Sequence, residues 1–167
     1  MEVIEIRSET QSLKLNIKFM RENKGMSQEE IAQKLGVKRS TYSLWELEIN
    51  PIPLPRLIKL CKIYKCSIDY ILALNKDIKA YSNMKYDIDY NLYPQRLKEI
   101  RKEFKYTQAK LAKKLNTDNG VISRYESGKN LILTSFLIGY SNIFNISCDY
   151  ILGKIDEKIT IKKLVNT

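Results

Sequence analysis

The sequence contains no histidine, only three cysteines and no glycine-rich phosphate loop. Histidine is the commonest general base and the commonest metal ligand, so its absence argues against most hydrolytic and metal-dependent sites. Cys61, Cys66 and Cys148 share no Cys-x-x-Cys spacing, and we interpret them as small core residues in a reducing compartment. We therefore expect no enzymatic activity, no cofactor and no metal ion.

Long apolar runs are also missing, and no stretch of about 18 apolar residues is available to span a bilayer. The opening residues MEVIEIRSET do not have the pattern of a signal peptide, so we expect a cytoplasmic protein without membrane contact. Lysine and arginine number 29 against 19 acidic residues, which gives a net charge of +10. Such a charge favours a polyanionic partner but does not by itself separate DNA, RNA and anionic membranes.

The chain repeats itself after a shift of 80 residues, without a gap. The run Asp69–Leu72 (DYIL) recurs unchanged at Asp149–Leu152, and Ala32 and Glu46 meet Ala112 and Glu126. Agreement at many points in one register indicates two copies of one small domain. The predicted organisation is an N-terminal segment (1–12), repeat 1 (13–74), a linker (75–92), repeat 2 (93–153) and a C-terminal tail (154–167).

The pattern within each repeat is helical. Ser27-x-x-Glu30 is a capping box that predicts the start of a helix, and Gly36 fits the left-handed turn that ends it. Asn116 stands at the same place in repeat 2, and asparagine is the next-best residue for that turn. A third helix is predicted over about 39–47, with Tyr42 and Trp45 facing inward. Five short helices in each repeat predict a compact all-α bundle.

Several runs resemble the XRE-type helix-turn-helix domain of the phage lambda repressor and Cro family. They are residues 27–37 (SQEEIAQKLGV), 67–72 (SIDYIL), 106–115 (YTQAKLAKKL) and 123–129 (SRYESGK). The resemblance covers both repeats. It implies two tandem five-helix lambda-repressor-like domains, each laying its third helix in the major groove of double-stranded DNA.

The resemblance also implies which residues face the bases. They are Lys38, Arg39, Ser40, Ser43 and Leu44 in repeat 1, and Asp118, Asn119, Gly120, Ser123 and Arg124 in repeat 2. Arginine can hold guanine bidentately and asparagine suits adenine, each contact contributing about 1–3 kcal/mol of discrimination. We interpret Asp118 as the cap of its helix and Lys38 as a phosphate ligand. Base reading is therefore predicted for Arg39, Ser40, Ser43, Asn119, Ser123 and Arg124.

Other residues are predicted to contact phosphate or to hold the domain together. Gln28 and Gln108 lie in a first helical turn, where an amide and the helix N-terminus can both meet a phosphate oxygen. The full set predicted to contact phosphate is Gln28, Lys38, Asn50, Gln108 and Lys129. By resemblance, Arg21 with Glu46 and Arg101 with Glu126 form buried ion pairs that tie the first helix to the third. After Glu46, repeat 1 departs from the family pattern, because Leu47-Glu48 stands where repeat 2 has Ser127-Gly128.

These features predict a sequence-specific transcriptional regulator, which we expect to repress from an operator in a bacterial or phage genome. One hypothesis has both repeats reading DNA, at a site with two unlike halves. The alternative is an antitoxin-like or scaffold protein, in which one repeat binds DNA and the other mediates dimerisation or binds a toxin-like partner. The segments Glu2–Arg7 and Lys158–Leu164 alternate apolar and polar residues, so strands from two chains could pair into a homodimer.

Overall fold

The computed structural model describes residues 15–77 and 81–161, which contain ten α-helices. Repeat 1 comprises α1 (Ile17–Asn23), α2 (Gln28–Leu35), α3 (Arg39–Glu46), α4 (Leu54–Tyr64) and α5 (Ile68–Ile71). Repeat 2 comprises α6 (Leu92–Glu103), α7 (Gln108–Lys114), α8 (Asn119–Glu126), α9 (Thr134–Phe144) and α10 (Cys148–Ile151). Within the two described ranges, every helix is too short or too polar to cross a bilayer. The predicted all-α class, with five helices in each repeat, is confirmed.

Five of the ten described helices begin at a side-chain cap. The Oγ atom of Ser27 accepts from the backbone N–H of Glu30 at 3.2 Å, and the Glu30 carboxylate accepts from the N–H of Ser27 at 2.7 Å, which completes the predicted capping box. Four other helices are capped by one such hydrogen bond, from the side chains of Ser67, Thr107, Asp118 and Ser147. These bonds satisfy amide groups that the first helical turn leaves without a partner.

The turn after the second helix of each repeat needs a left-handed residue. Gly36 has a φ of 67° and Asn116 a φ of 51°, as their positions predict. Glycine has no Cβ to clash in this region, and asparagine tolerates it better than most residues. The two turns therefore direct the following helices, α3 and α8, in the same way.

The core of each repeat collects the inward faces of its helices. Tyr42 and Trp45 of α3 are buried and their rings meet edge to face, with centroids 6.2 Å apart. The hydroxyl groups of Tyr42 and Tyr64 lie 3.1 Å apart, so both polar atoms are satisfied inside the core. In repeat 2, Ile122 and Tyr125 take the places of Tyr42 and Trp45 and are equally buried. The third helix is thus held by its apolar face, as expected.

The two repeats are packed against each other, and their buried apolar residues form one continuous cluster. The contact is made chiefly by α5 and α10, the short last helices of the two repeats. Asp69 and Asp149 lie there with no exposed surface; Asp149 accepts two backbone N–H groups from the opposite repeat and Asp69 accepts one. The repeats are therefore joined through a buried interface as well as through the chain.

The linker contacts both repeats. The backbone N–H groups of Lys85 and Asp89 donate to the carbonyl groups of Lys154 and Leu152, at 2.8 and 3.0 Å. The hydroxyl of Tyr81 donates to Asp69 Oδ2 at 2.7 Å. These bonds hold the described part of the linker on the folded surface.

The first part of the C-terminal tail pairs within its own chain. Ile146 and Thr160 form an antiparallel bridge, and the N–H of Ile161 donates to the carbonyl of Asn145 at 3.1 Å. One interpretation of the sequence is that the segment Lys158–Leu164 could offer a strand to a second chain. Up to Ile161 that backbone instead pairs with the loop between α9 and α10. The rest of this segment and the whole of Glu2–Arg7 lie outside the described residues.

Candidate nucleic-acid interface

A pair of packed helices forms the frame of the candidate interface in each repeat. Helix α2 packs on α3, and α7 packs on α8. Ala32 and Ala112 are buried where the helices of each pair meet, at 0% and 3% exposure. A larger side chain at either position would push the helices apart, because interiors are packed too closely to absorb it. The frame leaves one face of α3 and of α8 directed to solvent.

The first turn of α3 places basic and hydroxyl side chains on that open face. Lys38, Arg39 and Ser40 are exposed, whereas Ser43 and Leu44 are half-buried. Lys38 precedes the helix in extended conformation and gives it no side-chain cap, since an ammonium group cannot accept a hydrogen bond. The structure therefore brings the predicted base-reading residues of repeat 1 together on one surface.

The first turn of α8 presents different chemistry from the same frame. Asn119, Ser123 and Arg124 are exposed, and Asp118 accepts from the N–H of Val121 at 3.0 Å, which is the capping role expected for it. A Cβ added at Gly120 would lie 3.0 Å from the Asp118 carboxylate and 3.2 Å from the Arg124 guanidinium. Gly120 therefore gives Arg124 room to lie across the start of the helix, beside an acidic group.

A buried ion pair supports each third helix from behind. Arg21 Nε lies 2.6 Å from Glu46 Oε1, and Arg101 Nε lies 2.5 Å from Glu126 Oε1. Burial alone would raise the pKa of Glu46, but the hydrogen bonds from Arg21 and Gln28 and the charge of Arg21 outweigh it and lower that pKa. The pKa of Arg21 is raised, chiefly by its hydrogen bond to Glu46. Both groups of the pair thus stay charged at neutral pH.

The two glutamines predicted to contact phosphate are bound to these ion pairs. Gln28 Nε2 donates to Glu46 Oε2 at 2.8 Å, and Gln108 Nε2 donates to Glu126 Oε2 at 2.9 Å. Sequence reasoning missed this contact, although both glutamines precede their glutamate by the same 18 residues. One amide hydrogen is therefore engaged within the protein. The second hydrogen and the carbonyl oxygen are the groups with which the predicted phosphate contact would be made.

The turn after the third helix has the same backbone shape in both repeats. Glu48 has a φ of 59° and Gly128 a φ of 71°, so the departure of repeat 1 from the family pattern leaves the turn intact. The Glu48 carboxylate accepts from the N–H of Leu15 at 2.8 Å, which helps to hold a residue without glycine's freedom in this conformation. Asn50 and Lys129, both predicted to contact phosphate, are exposed near these turns.

Comparison with known proteins finds sequence similarity to helix-turn-helix regulators. The HTH-type transcriptional regulator ImmR of Bacillus subtilis (strain 168) is 45% identical over 60 residues, which cover 36% of this chain and 47% of ImmR. The chain thus spans about half the length of that relative. The regulator YobD of the same organism is 32% identical over 105 residues, covering 56% of this chain and 93% of YobD.

A third relative from Bacillus subtilis (strain 168), the HTH-type transcriptional regulator YqaE, is 35% identical over 79 residues, covering 45% of this chain and 68% of YqaE. No solved structure matches the chain. The profile described as helix-turn-helix matches residues 17–71 and again residues 97–151. The chain therefore belongs to the helix-turn-helix family and carries two copies of its domain.

Proposed function

We propose that this chain is a transcriptional regulator that binds double-stranded DNA and represses by occupying an operator in a bacterial or phage genome. The observation that carries the proposal is the pair of exposed third-helix faces, each held by a buried ion pair and each bearing an arginine. The relatives named as HTH-type transcriptional regulators support it. Its place of action is the cytoplasm, and its activity is binding without catalysis.

The proposed readout follows from donor and acceptor chemistry in the major groove. Arg39 and Arg124 each offer two parallel N–H groups to the O6 and N7 atoms of guanine, and Asn119 matches the N6 and N7 atoms of adenine. Ser40, Ser43 and Ser123 add single hydrogen bonds that tolerate several bases. Because the two third helices present different side chains, the two halves of the site differ in sequence.

Affinity is proposed to come from phosphate contacts by Gln28, Lys38, Asn50, Gln108 and Lys129. Neutralisation of two phosphates by Lys38 and Lys129 alone gives a slope of about −1.8 in log affinity against log salt concentration. That slope corresponds to a loss of about 12-fold between roughly 50 and 200 mM salt. An affinity that does not change over this range would contradict phosphate-driven binding.

Binding-site selection from a random duplex library tests the proposal, with wild type, Arg39→Ala and Arg124→Ala in parallel. We expect one extended site from the wild type. Each variant should relax the sequence preference in its own half of the site only. Failure of the wild type to enrich any sequence would overturn the proposed function.

A second function is favoured by one difference between the repeats. The turn after α3 exposes Leu47 and Ile49, at 64% and 63%, where repeat 2 has the polar Ser127 and Lys129. Apolar groups there suit a protein surface better than a phosphate backbone. In this alternative, repeat 2 binds DNA and repeat 1 binds a protein, as an antitoxin-like or scaffold protein would. It is supported if Arg39→Ala leaves the selected site unchanged while Arg124→Ala alters it.

A further inference from the structure

We propose that the two repeats form a fixed internal pair, related by an approximate two-fold axis, so that a single chain reads two unlike half-sites in inverted orientation at one spacing. The inference rests on the proposed function, because it assumes that α3 and α8 both enter the major groove. It adds the orientation of the half-sites, their fixed spacing and the number of chains on the site. The sequence repeat is tandem, and a tandem repeat by itself does not predict an inverted site.

The hydrogen bonds across the interface are reciprocal. Asp149 accepts from the N–H groups of Ile68 and Asp69, at 3.1 and 2.9 Å. Asp69 accepts from the N–H of Cys148 at 2.7 Å and from the hydroxyl of Ser147. Ile68 and Cys148 are equivalent residues of the two repeats, and so are the two aspartates. Each carboxylate therefore caps the short last helix of the other repeat, and such an exchange of equivalent contacts is the mark of a two-fold interface.

A second contact lies at the start of the fourth helix of each repeat. The hydroxyl of Thr134 donates to the carbonyl of Ile52 at 2.6 Å, and both residues are buried. Ile52 stands two residues before α4 and Thr134 is the first residue of α9, so the two repeats also meet where their fourth helices begin. The equivalent residues, Ile132 and Leu54, are buried at 1% and 2% exposure. The interface thus extends from the last helices to the starts of the fourth helices.

The symmetry determines how the third helices are presented. A two-fold rotation leaves distances along its axis unchanged, so α3 and α8, as related helices, lie at the same level, and faces of theirs that point along the axis face the same side. It also reverses their direction relative to each other, as in the helix-turn-helix dimers that bind inverted half-sites about one helical turn apart. Here both partners of the pair belong to one chain, so one chain is sufficient for one site.

Burial makes this pair a fixed one. Asp69, Asp149 and Lys154 have no exposed surface, and Lys154 Nζ lies 2.7 Å from Asp149 Oδ1. Burial and then the charge of Asp149 raise the pKa of Asp69 to about 7. Tyr81 of the linker donates to the Asp69 carboxylate and so closes the interface from the side. Opening it would break the hydrogen bonds that the two aspartates accept from the opposite repeat and would expose the apolar cluster that the repeats share, which is unfavourable.

The interface is symmetric in its backbone bonds but not in its side chains. Asp149 pairs with Lys154, whereas the residue equivalent to Lys154 in repeat 1 is Leu74, which is apolar and buried. Asp69 instead accepts hydrogen bonds from the hydroxyl groups of Tyr81 and Ser147. These side-chain contacts therefore form between repeat 1 and repeat 2, and two copies of the same repeat could not reproduce them.

The test is a spacing series with the full chain. The two half-sites recovered by selection are placed in duplexes in inverted or direct orientation, with the distance between them increased in steps of one base pair. Insertion of about five base pairs turns one half-site to the opposite side of the duplex, beyond the reach of a rigid pair. We expect the wild type to bind the inverted duplex of preferred spacing about 100-fold more tightly than the duplex with the five-base-pair insertion. Native mass spectrometry should show one chain per duplex.

Asp149→Asn is the interface variant, because it removes the partner of Lys154. Asp156→Asn is the matched control, since Asp156 lies seven residues further along the chain with its side chain 83% exposed. If both variants retain the wild-type circular dichroism, we expect the first to lose most of its spacing preference and the second to keep it. If Asp149→Asn does not fold, the wild-type series decides alone.

The possible results separate the inference from the proposed function. Recovery of half-sites that bind equally well at all spacings, or best in direct orientation, overturns the internal pair but leaves sequence-specific binding standing. Two chains on one duplex of the preferred spacing also overturns it, in favour of a homodimer. Failure to recover any half-site overturns both proposals.

Discussion

Repeat 1 begins its third helix with Lys38-Arg39-Ser40, and repeat 2 begins the equivalent helix with Asp118-Asn119-Gly120. Behind these residues the repeats are the same, since an arginine, a glutamine and a glutamate occupy equivalent positions and make equivalent bonds. The side chains that hold the helix are thus shared, and those that face solvent differ. Such a division is expected of two domains that use one frame to recognise different DNA sequences.

The largest expected effect comes from the shared frame. Glu126→Gln leaves Arg101 without its charged partner in a nearly buried site, where the side chains of Arg101 and Glu126 are 8% and 3% exposed. We expect the free energy of unfolding to fall by about 3–5 kcal/mol. Glu46→Gln should cost less, because Arg21 is 11% exposed and also lies 3.6 Å from Glu22.

Urea denaturation of the two variants and of the control Glu99→Gln, an exposed position on α6, measures this difference. A loss below about 1 kcal/mol for Glu126→Gln would show that the pair is dispensable, as most surface salt bridges are.

The exposed faces should show the next largest effect. Arg39→Ala and Arg124→Ala each remove one bidentate donor, so we expect a loss of about 1–3 kcal/mol of discrimination against a wrong base in the half-site of that repeat. Titration of duplexes altered in one half-site at a time measures it. Lys85→Ala, which removes a positive charge from the linker, is the control for a general electrostatic effect. Equal losses in both halves from a single variant would contradict separate reading by the two repeats.

Much of the structure that the repeats share can be predicted from the sequence, because the sequence signals for it are local. The capping box at Ser27, the left-handed turn at Gly36 and the inward face of α3 each depend on residues within a few positions of one another. The register of the repeat then transfers each element to the second copy. The ranges within which the family profile matches lie inside the two repeats marked out by that register.

The pairing of the repeats could not be predicted in this way. Asp69 and Asp149 first marked the repeat, and nothing near either residue shows that its carboxylate caps a helix 80 residues away. Lys154 was placed in the tail by its position, yet it is fully buried against Asp149. Periodicity reports the face of an element that is buried but not the element that covers it. An aspartate inside the apolar run IDYIL was the available sign of a buried polar contact.

A smaller effect is expected at the turn that follows the third helix. Gly128→Ala adds a Cβ at a φ of +71° and 3.2 Å from Pro94 Cγ, so we expect a loss of about 1–2 kcal/mol. Glu48→Gly should change stability by less than about 0.5 kcal/mol, because the relief of backbone strain and the loss of the Leu15 hydrogen bond offset each other. Thermal unfolding of both variants measures the contrast. Equal destabilisation by the two changes would show that the hydrogen bond from Leu15 to Glu48 contributes more stability than the backbone strain at Glu48 costs.

The smallest effect concerns the start of α3, which has no side-chain cap, whereas the equivalent helix α8 is capped by Asp118. Lys38→Asp gives α3 the side-chain cap that Asp118 gives α8, and we expect a gain of about 0.5–1 kcal/mol in the free energy of unfolding. The same change replaces a positive charge by a negative one beside the phosphate backbone, so DNA affinity should fall and the salt slope should decrease in magnitude by about 1. Lys38→Ala separates the two contributions, because it removes the charge without adding a cap. If Lys38→Asp stabilises the fold and binds DNA as tightly as wild type, Lys38 does not contact phosphate, and the difference in capping has no bearing on DNA binding.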